Sequence, residues 1–214
     1  KILLLATEDN DIDYYYQRIS DYMDNVEFTL WNWLYQVPTL DDLVNFDVVL
    51  LFQNSSPDGN SVGNVLYEYV ISGGNLVIGN FYWQNSGYGN LDNIIPVYGG
   101  SCDYAPAYLN TDTVLDHPLT DGIDDLYCEL YRGGPTTVRD DATVVAWWDD
   151  GDPLIAFNQP GGYLIAITMF PAHEIYAVID GKFYETWANA LNWVVSSSSG
   201  NWLALDPTSG TIPV

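Results

Sequence analysis

Two short stretches constrain the fold most: Ile2–Ala6, ILLLA, and Phe46–Phe52, FDVVLLF. Each is apolar at successive positions instead of alternate ones, the pattern of a strand buried on both faces. Such strands belong to parallel sheets covered by helices, and the sequence between them supplies the helices. Residues 11–24 place Ile12, Tyr15, Tyr16, Ile19 and Met23 at helical spacing, and Val26–Trp31 reads as a second strand. Thr39–Asn45 reads as a short helix opened by a threonine cap and Asp41-Asp42. After FDVVLLF, Gly63–Ser72 is helical, Gly73-Gly74 stops it, and Leu76–Gly79 is a fourth strand. Alternation with short connections predicts an α/β fold with a doubly wound, mostly parallel sheet flanked by helices.

From Val97 the pattern becomes β-rich. Val97–Tyr104, Tyr127–Arg132, Thr143–Trp148, Pro153–Phe157 and Tyr163–Phe170 read as strands, with turns at Asp149–Asp152 and Gln159–Gly162. Lys182–Val195 is a closing helix with Phe183, Trp187, Ala190, Leu191 and Val194 on one face. The expected organisation is one α/β domain over residues 1–195, a serine–glycine linker over 196–200 and an extended tail over 201–214.

Charge decides which partners are excluded. Five Lys and Arg stand against 29 Asp and Glu, a formal net charge of −24. That surface repels phosphate backbones and anionic lipid, so nucleic acid is not an expected partner. The longest apolar runs are too short to span a bilayer, so membrane insertion is not expected either. The acids are spread along the chain, which fits solubility or a salt-rich habitat better than a dedicated cation site. Cys102 and Cys128 match no zinc spacing. The chain opens at Lys1 directly inside a strand pattern, as a product stripped of a targeting segment would, and the expected location is extracellular or at the cell surface. There a Cys102–Cys128 disulfide is expected, worth roughly 3–4 kcal/mol in the chain-entropy model, the alternative being two buried thiols.

Three segments carry a family resemblance. FDVVLLFQN followed by a helix and GGNLVIGN, the stretch LDHPLTDGIDDL at 115–126, and GGYLIAITMFPAHEIY with its terminal helix resemble the class I glutamine amidotransferase-like superfamily, in particular its ThuA-like (flavodoxin-like) and secreted surface-protein branches. WLALDPTSGTIPV at the end resembles the opening of bacterial immunoglobulin-like repeats, which implies continuation into another module.

The resemblance implies a nucleophile on a tight elbow after the fourth strand, with a His and a Glu from a later loop. A cysteine there would need a helix N-terminus and the His to become a thiolate, and backbone N–H groups to hold the oxyanion. This sequence offers Asn80 and Phe81 at the elbow, with His173 and Glu174 near the late loop. No Cys, Ser or Thr stands at the elbow, and a base without a nucleophile performs no acyl transfer. These four are therefore vestigial candidates.

Other candidates remain beside them. Asp9, Asp11 and Asp13 follow the first strand and offer oxygen ligands of the kind Ca²⁺ takes, though acids there also suit a helix N-terminus, and no other cofactor is expected. Phe81, Tyr82, Trp83, Tyr88 and Tyr98 could stack on a sugar ring or a protein partner, or fold over their own core. Trp202, Leu203 and Leu205 suit docking of the tail on a sheet edge, in the same chain or in a neighbouring copy that would extend into a filament. The leading expectation is a non-catalytic binding or assembly module whose partners are other copies or neighbouring modules. A divergent hydrolase and a carbohydrate-binding module are the alternatives.

Overall fold

The computed structural model describes residues 1–7, 17–51, 58–84, 87–103, 105–171 and 179–200. The first half contributes β1 (Ile2–Ala6), β2 (Phe28–Asn32), α1 (Leu40–Leu43), β3 (Val48–Leu51), α2 (Gly59–Ile71) and β4 (Asn75–Ile78). Short strands follow: β5 (Val97–Tyr98), β6 (Ser101–Asp103), β7 (Ala107–Tyr108), β8 (Leu126–Cys128), β9 (Arg132–Gly134) and β10 (Thr137–Val138). β11 (Thr143–Trp147), β12 (Pro153–Asn158), β13 (Leu164–Ile167), β14 (Ile179–Gly181) and α3 (Phe183–Gly200) complete the described chain.

Seven strands form one sheet in the order β11-β12-β13-β4-β3-β1-β2. β13, β4, β3, β1 and β2 pair in parallel, while β12 and β11 extend the sheet antiparallel beyond β13. Every residue of β1, β3, β4 and β13 is buried, as the unbroken apolar runs require. Alternate side chains divide between two cores. Ile2, Leu4, Leu50, Val77 and Ile165 meet Ile19, Trp187, Leu191 and Val194 on one face. Leu3, Leu5, Val49, Leu76 and Ile78 meet Val62, Leu66, Tyr69 and Val70 of α2 on the other.

Local signals explain the helix ends. Thr39 and Asp42 form a reciprocal capping box at α1, a device worth about 1 kcal/mol. α2 begins four residues before the expected Gly63, because the Asp58 side chain accepts the Asn60 N–H and caps it. The Gly-Asn-Ser that follows is poor helix-forming sequence and conceals that start. α3 runs on through Ser196–Ser199, where Ser197 Oγ donates back to Trp193 O at 2.7 Å, so the serine run is helix at this level of structure.

The expected disulfide is not formed. Cys128 is a buried thiol whose Sγ donates to Leu130 O at 3.0 Å. It sits on β8 between β7 and β14, whereas Cys102 sits on β6 against β9, in a different sheet.

Candidate functional site

Ligands of doubly wound folds bind beyond the carboxyl ends of the parallel strands, so the turn after β4 is the place to look. Gly79 and Asn80 leave that strand tightly held. Gly79 N–H donates to Leu51 O at 3.3 Å and Asn80 N–H donates to Met169 O at 2.8 Å. A Cβ on Gly79 would stand 2.9 Å from both Pro171 and Trp187, so the glycine is required for space. Asn80 is fully buried, and its Nδ2 donates to Tyr131 O at 2.9 Å. The Asn80–Phe81 peptide is cis. Tyr82 N–H closes on Gly79 O and Gln84 N–H on Phe81 O, giving a turn and no α-helix. Among the described residues no helix begins at the elbow, and the Asn80 amide is committed to a carbonyl, so neither device that would activate a nucleophile or hold an oxyanion stands there among them.

The expected binding aromatics are largely turned inward. Phe81 packs on Phe170 at 4.8 Å and on Tyr131 at 5.3 Å between ring centroids, filling the space beside the elbow. Tyr82 and Tyr88 stack at 4.3 Å, and Trp83 Nε1 donates to Val97 O at 3.0 Å. Asp92 ties this group together: it accepts from Tyr82 OH at 2.5 Å and from the Tyr88 amide at 2.9 Å. Burial foremost, with the Asp92 charge behind it, pushes both phenols well above their ordinary range, so they are neutral and serve as neither base nor nucleophile. Tyr98 alone of the set is exposed, at 40%, and the Arg139 guanidinium covers one face of its ring at 5.0 Å. Phe81, Tyr82, Trp83 and Tyr88 serve as cover for the core, with the Tyr82 hydroxyl and the Trp83 indole N–H each given a local acceptor.

Residues not singled out from the sequence complete this edge. Arg132 is wholly buried, with Nη2 on Asp150 Oδ2 at 2.5 Å, Nε donating to Ala105 O at 3.0 Å, and its guanidinium 5.4 Å from the Trp148 ring. Trp148 Nε1 in turn donates to Thr168 Oγ1 at 2.9 Å, locking β13 to the Asp149–Asp152 turn. A usable signal existed: Arg132 is one of five basic residues and stands beside Gly133-Gly134, where backbone crowds in. A Cβ on Gly133 would approach the Trp83 ring to 2.5 Å. His117 accepts the Leu119 amide through Nδ1 at 3.1 Å, the turn role its Pro118 neighbour suggests.

Asp9, Asp11, Asp13, His173, Glu174, Trp202, Leu203 and Leu205 lie outside the described residues. Among the described residues no group of three or more His, Cys, Asp or Glu is placed to hold a metal ion. No described helix is long and apolar enough to cross a membrane.

The architecture around this elbow, a mostly parallel sheet covered on both faces and accompanied by small antiparallel sheets, is an α/β fold similar to that of ThuA-like proteins. Cytoplasmic protein STM3548 from Salmonella typhimurium superposes with a TM-score of 0.69 over 90% of this chain and 98% of its own, at 17% identity. A ThuA-like protein from Bacteroides uniformis gives 0.65 over 91% of each chain at 14% identity. The cold-adapted β-galactosidase from Rahnella sp. R3 gives 0.60 at 13% identity, with 93% of this chain matching 31% of that one. At these identities the likeness is one of fold alone. No family model matches the chain, and no curated protein matches it.

Proposed function

We propose that this chain is a non-catalytic binding or assembly module of an exported, surface-associated protein. One observation carries the reading. The elbow holds Asn80 and Phe81, with the Asn80 amide spent on Met169 O and the Phe81 ring wedged against Tyr131 and Phe170. Among the described residues a substrate carbonyl would find neither a nucleophile nor a free donor at the elbow. Use as a module is supported by the Rahnella β-galactosidase, in which the same fold makes up only part of a larger chain. The burial of Phe81, Tyr82, Trp83 and Tyr88 counts against the carbohydrate-binding alternative built on them. The net charge of −24 directs the module toward protein partners and away from nucleic acid and anionic lipid.

The test is a panel of amides, esters and glycosides assayed with the wild-type chain and with His173→Ala. The expected result is no turnover above background in either. Hydrolysis that His173→Ala abolishes would overturn the reading and restore an enzyme.

A further inference from the structure

The small sheet β14–β8–β7 presents one face to the core and one to solvent. Ala107, Leu126 and Cys128 on β7 and β8 are buried. The residues between them point the other way, as strand alternation requires. The pairing register places Tyr108 opposite Tyr127 and Tyr127 opposite Asp180, one row across three strands on the outer face. Tyr108 is 56% exposed, and the two rings meet at 4.6 Å with a 34° tilt. Neither hydroxyl is hydrogen-bonded within the described residues.

Carboxylates stand at the edges of this pair. Asp125 and Glu129 bracket β8 just beyond its two ends, and the Glu129 charge acts on the Tyr127 hydroxyl. Asp180 ends the row. Asp149 is joined to Tyr108 twice, its Oδ1 accepting the Tyr108 amide at 3.0 Å and its own amide donating to Tyr108 O at 2.9 Å. That places a fourth carboxylate along the outer edge of β7, which the Trp147–Asp149 segment lines.

We propose that this outer face is a docking surface for a basic segment of a partner protein, an arginine or lysine side chain lying on Tyr108 among Glu129, Asp149 and Asp180. The inference rests on the binding-module reading and names the chemistry of its partner. Cations bind the faces of tyrosine rings, and surrounding carboxylates add attraction that steers encounter. The two rings are inclined to each other by 34°, so they offer no flat double platform for a pyranose. A second copy of this chain is a poor occupant, since its own cations are engaged internally. Lys1 meets Glu27, Lys182 meets Glu185, Arg132 meets Asp150, and Arg18 and Arg139 lie over Tyr184 and Tyr98. Aromatic and arginine side chains are also the residues that dominate interface energetics.

The experiment titrates a fluorescent arginine-rich peptide against the whole chain at physiological salt, with a neutral oligosaccharide in parallel. The expected result is peptide binding that Tyr108→Ala weakens by about fivefold. The double variant Asp149→Asn/Asp180→Asn weakens it as well, and keeps the amide acceptor at Tyr108. Asp21→Asn/Asp24→Asn removes the same charge from exposed positions elsewhere and leaves binding within about twofold. No peptide binding by the wild type, equal loss in the distant control, or oligosaccharide binding that depends on Tyr108 would each overturn the proposal. Those outcomes leave the hydrolysis panel untouched, so the partner assignment can fail while the non-catalytic reading stands.

Discussion

The imidazole of His117 lies between the Phe157 ring at 5.1 Å and the Trp193 ring at 4.8 Å, and accepts the Leu119 amide. Burial lowers its pKa from the ordinary value of about 6.5. The folded chain therefore binds this proton more weakly than the unfolded chain. Stability from His117 is complete above about pH 6.5 and is lost as pH falls from there through the lowered value. Protonation also removes the lone pair that accepts the amide. His117→Asn keeps an acceptor and does not titrate. Between pH 7 and 5 the urea midpoint of the wild type is expected to fall further than that of His117→Asn. Parallel falls would show that another group is responsible. Pro118 fixes the backbone after His117, so the turn there has a local cause. The rings that desolvate it come from β12 and α3, which no local pattern reveals.

At the scale of elements, α2 and the segment Gly89–Asn93 pack without room for a side chain between them. A Cβ on Gly63 would fall 1.9 Å from Tyr88 O, and one on Gly59 would fall 3.2 Å from the Tyr88 ring. By propensity alone Gly63→Ala should stabilise a helix by about 1 kcal/mol. Contact with backbone reverses the sign, and a net loss of about 1–3 kcal/mol is expected by denaturant unfolding. A gain would mean that the segment after Tyr88 moves away freely. Gly63 thus read as the start of a helix when it marks a close crossing in the first turns. The same limit explains the elbow. Leu76–Gly79 was legible as a strand and Asn80-Phe81 as its unusual exit. That Phe81 meets Tyr131 and Phe170 depends on segments far along the chain, and only assembly brings them together.

Across the whole molecule, the unbroken apolar runs made the parallel strands readable, and the hairpin turns made β11 and β12 readable. Their membership of the same sheet was not, because periodicity reports burial and is silent about neighbours. Charge is the other global property, and here it has a measurable consequence. With 29 acidic and five basic residues, the folded chain holds like charges closer together than the unfolded chain does. Screening should relieve that repulsion as the Debye length shrinks from about 30 Å at 0.01 M salt to about 3 Å at 1 M. Each kcal/mol relieved corresponds to a rise of about 2–4 °C in Tm for a chain of this size. NaCl, choline chloride and CaCl₂ at matched ionic strength are expected to raise Tm along one common curve. A dedicated cation site behaves differently, since binding to the folded state adds stability that grows with free ion over its dissociation constant. A steep rise at micromolar CaCl₂, with no counterpart in NaCl, would overturn the repulsion account. Loss of that rise in Asp9→Asn/Asp11→Asn/Asp13→Asn would then assign the ion to the acids that follow β1.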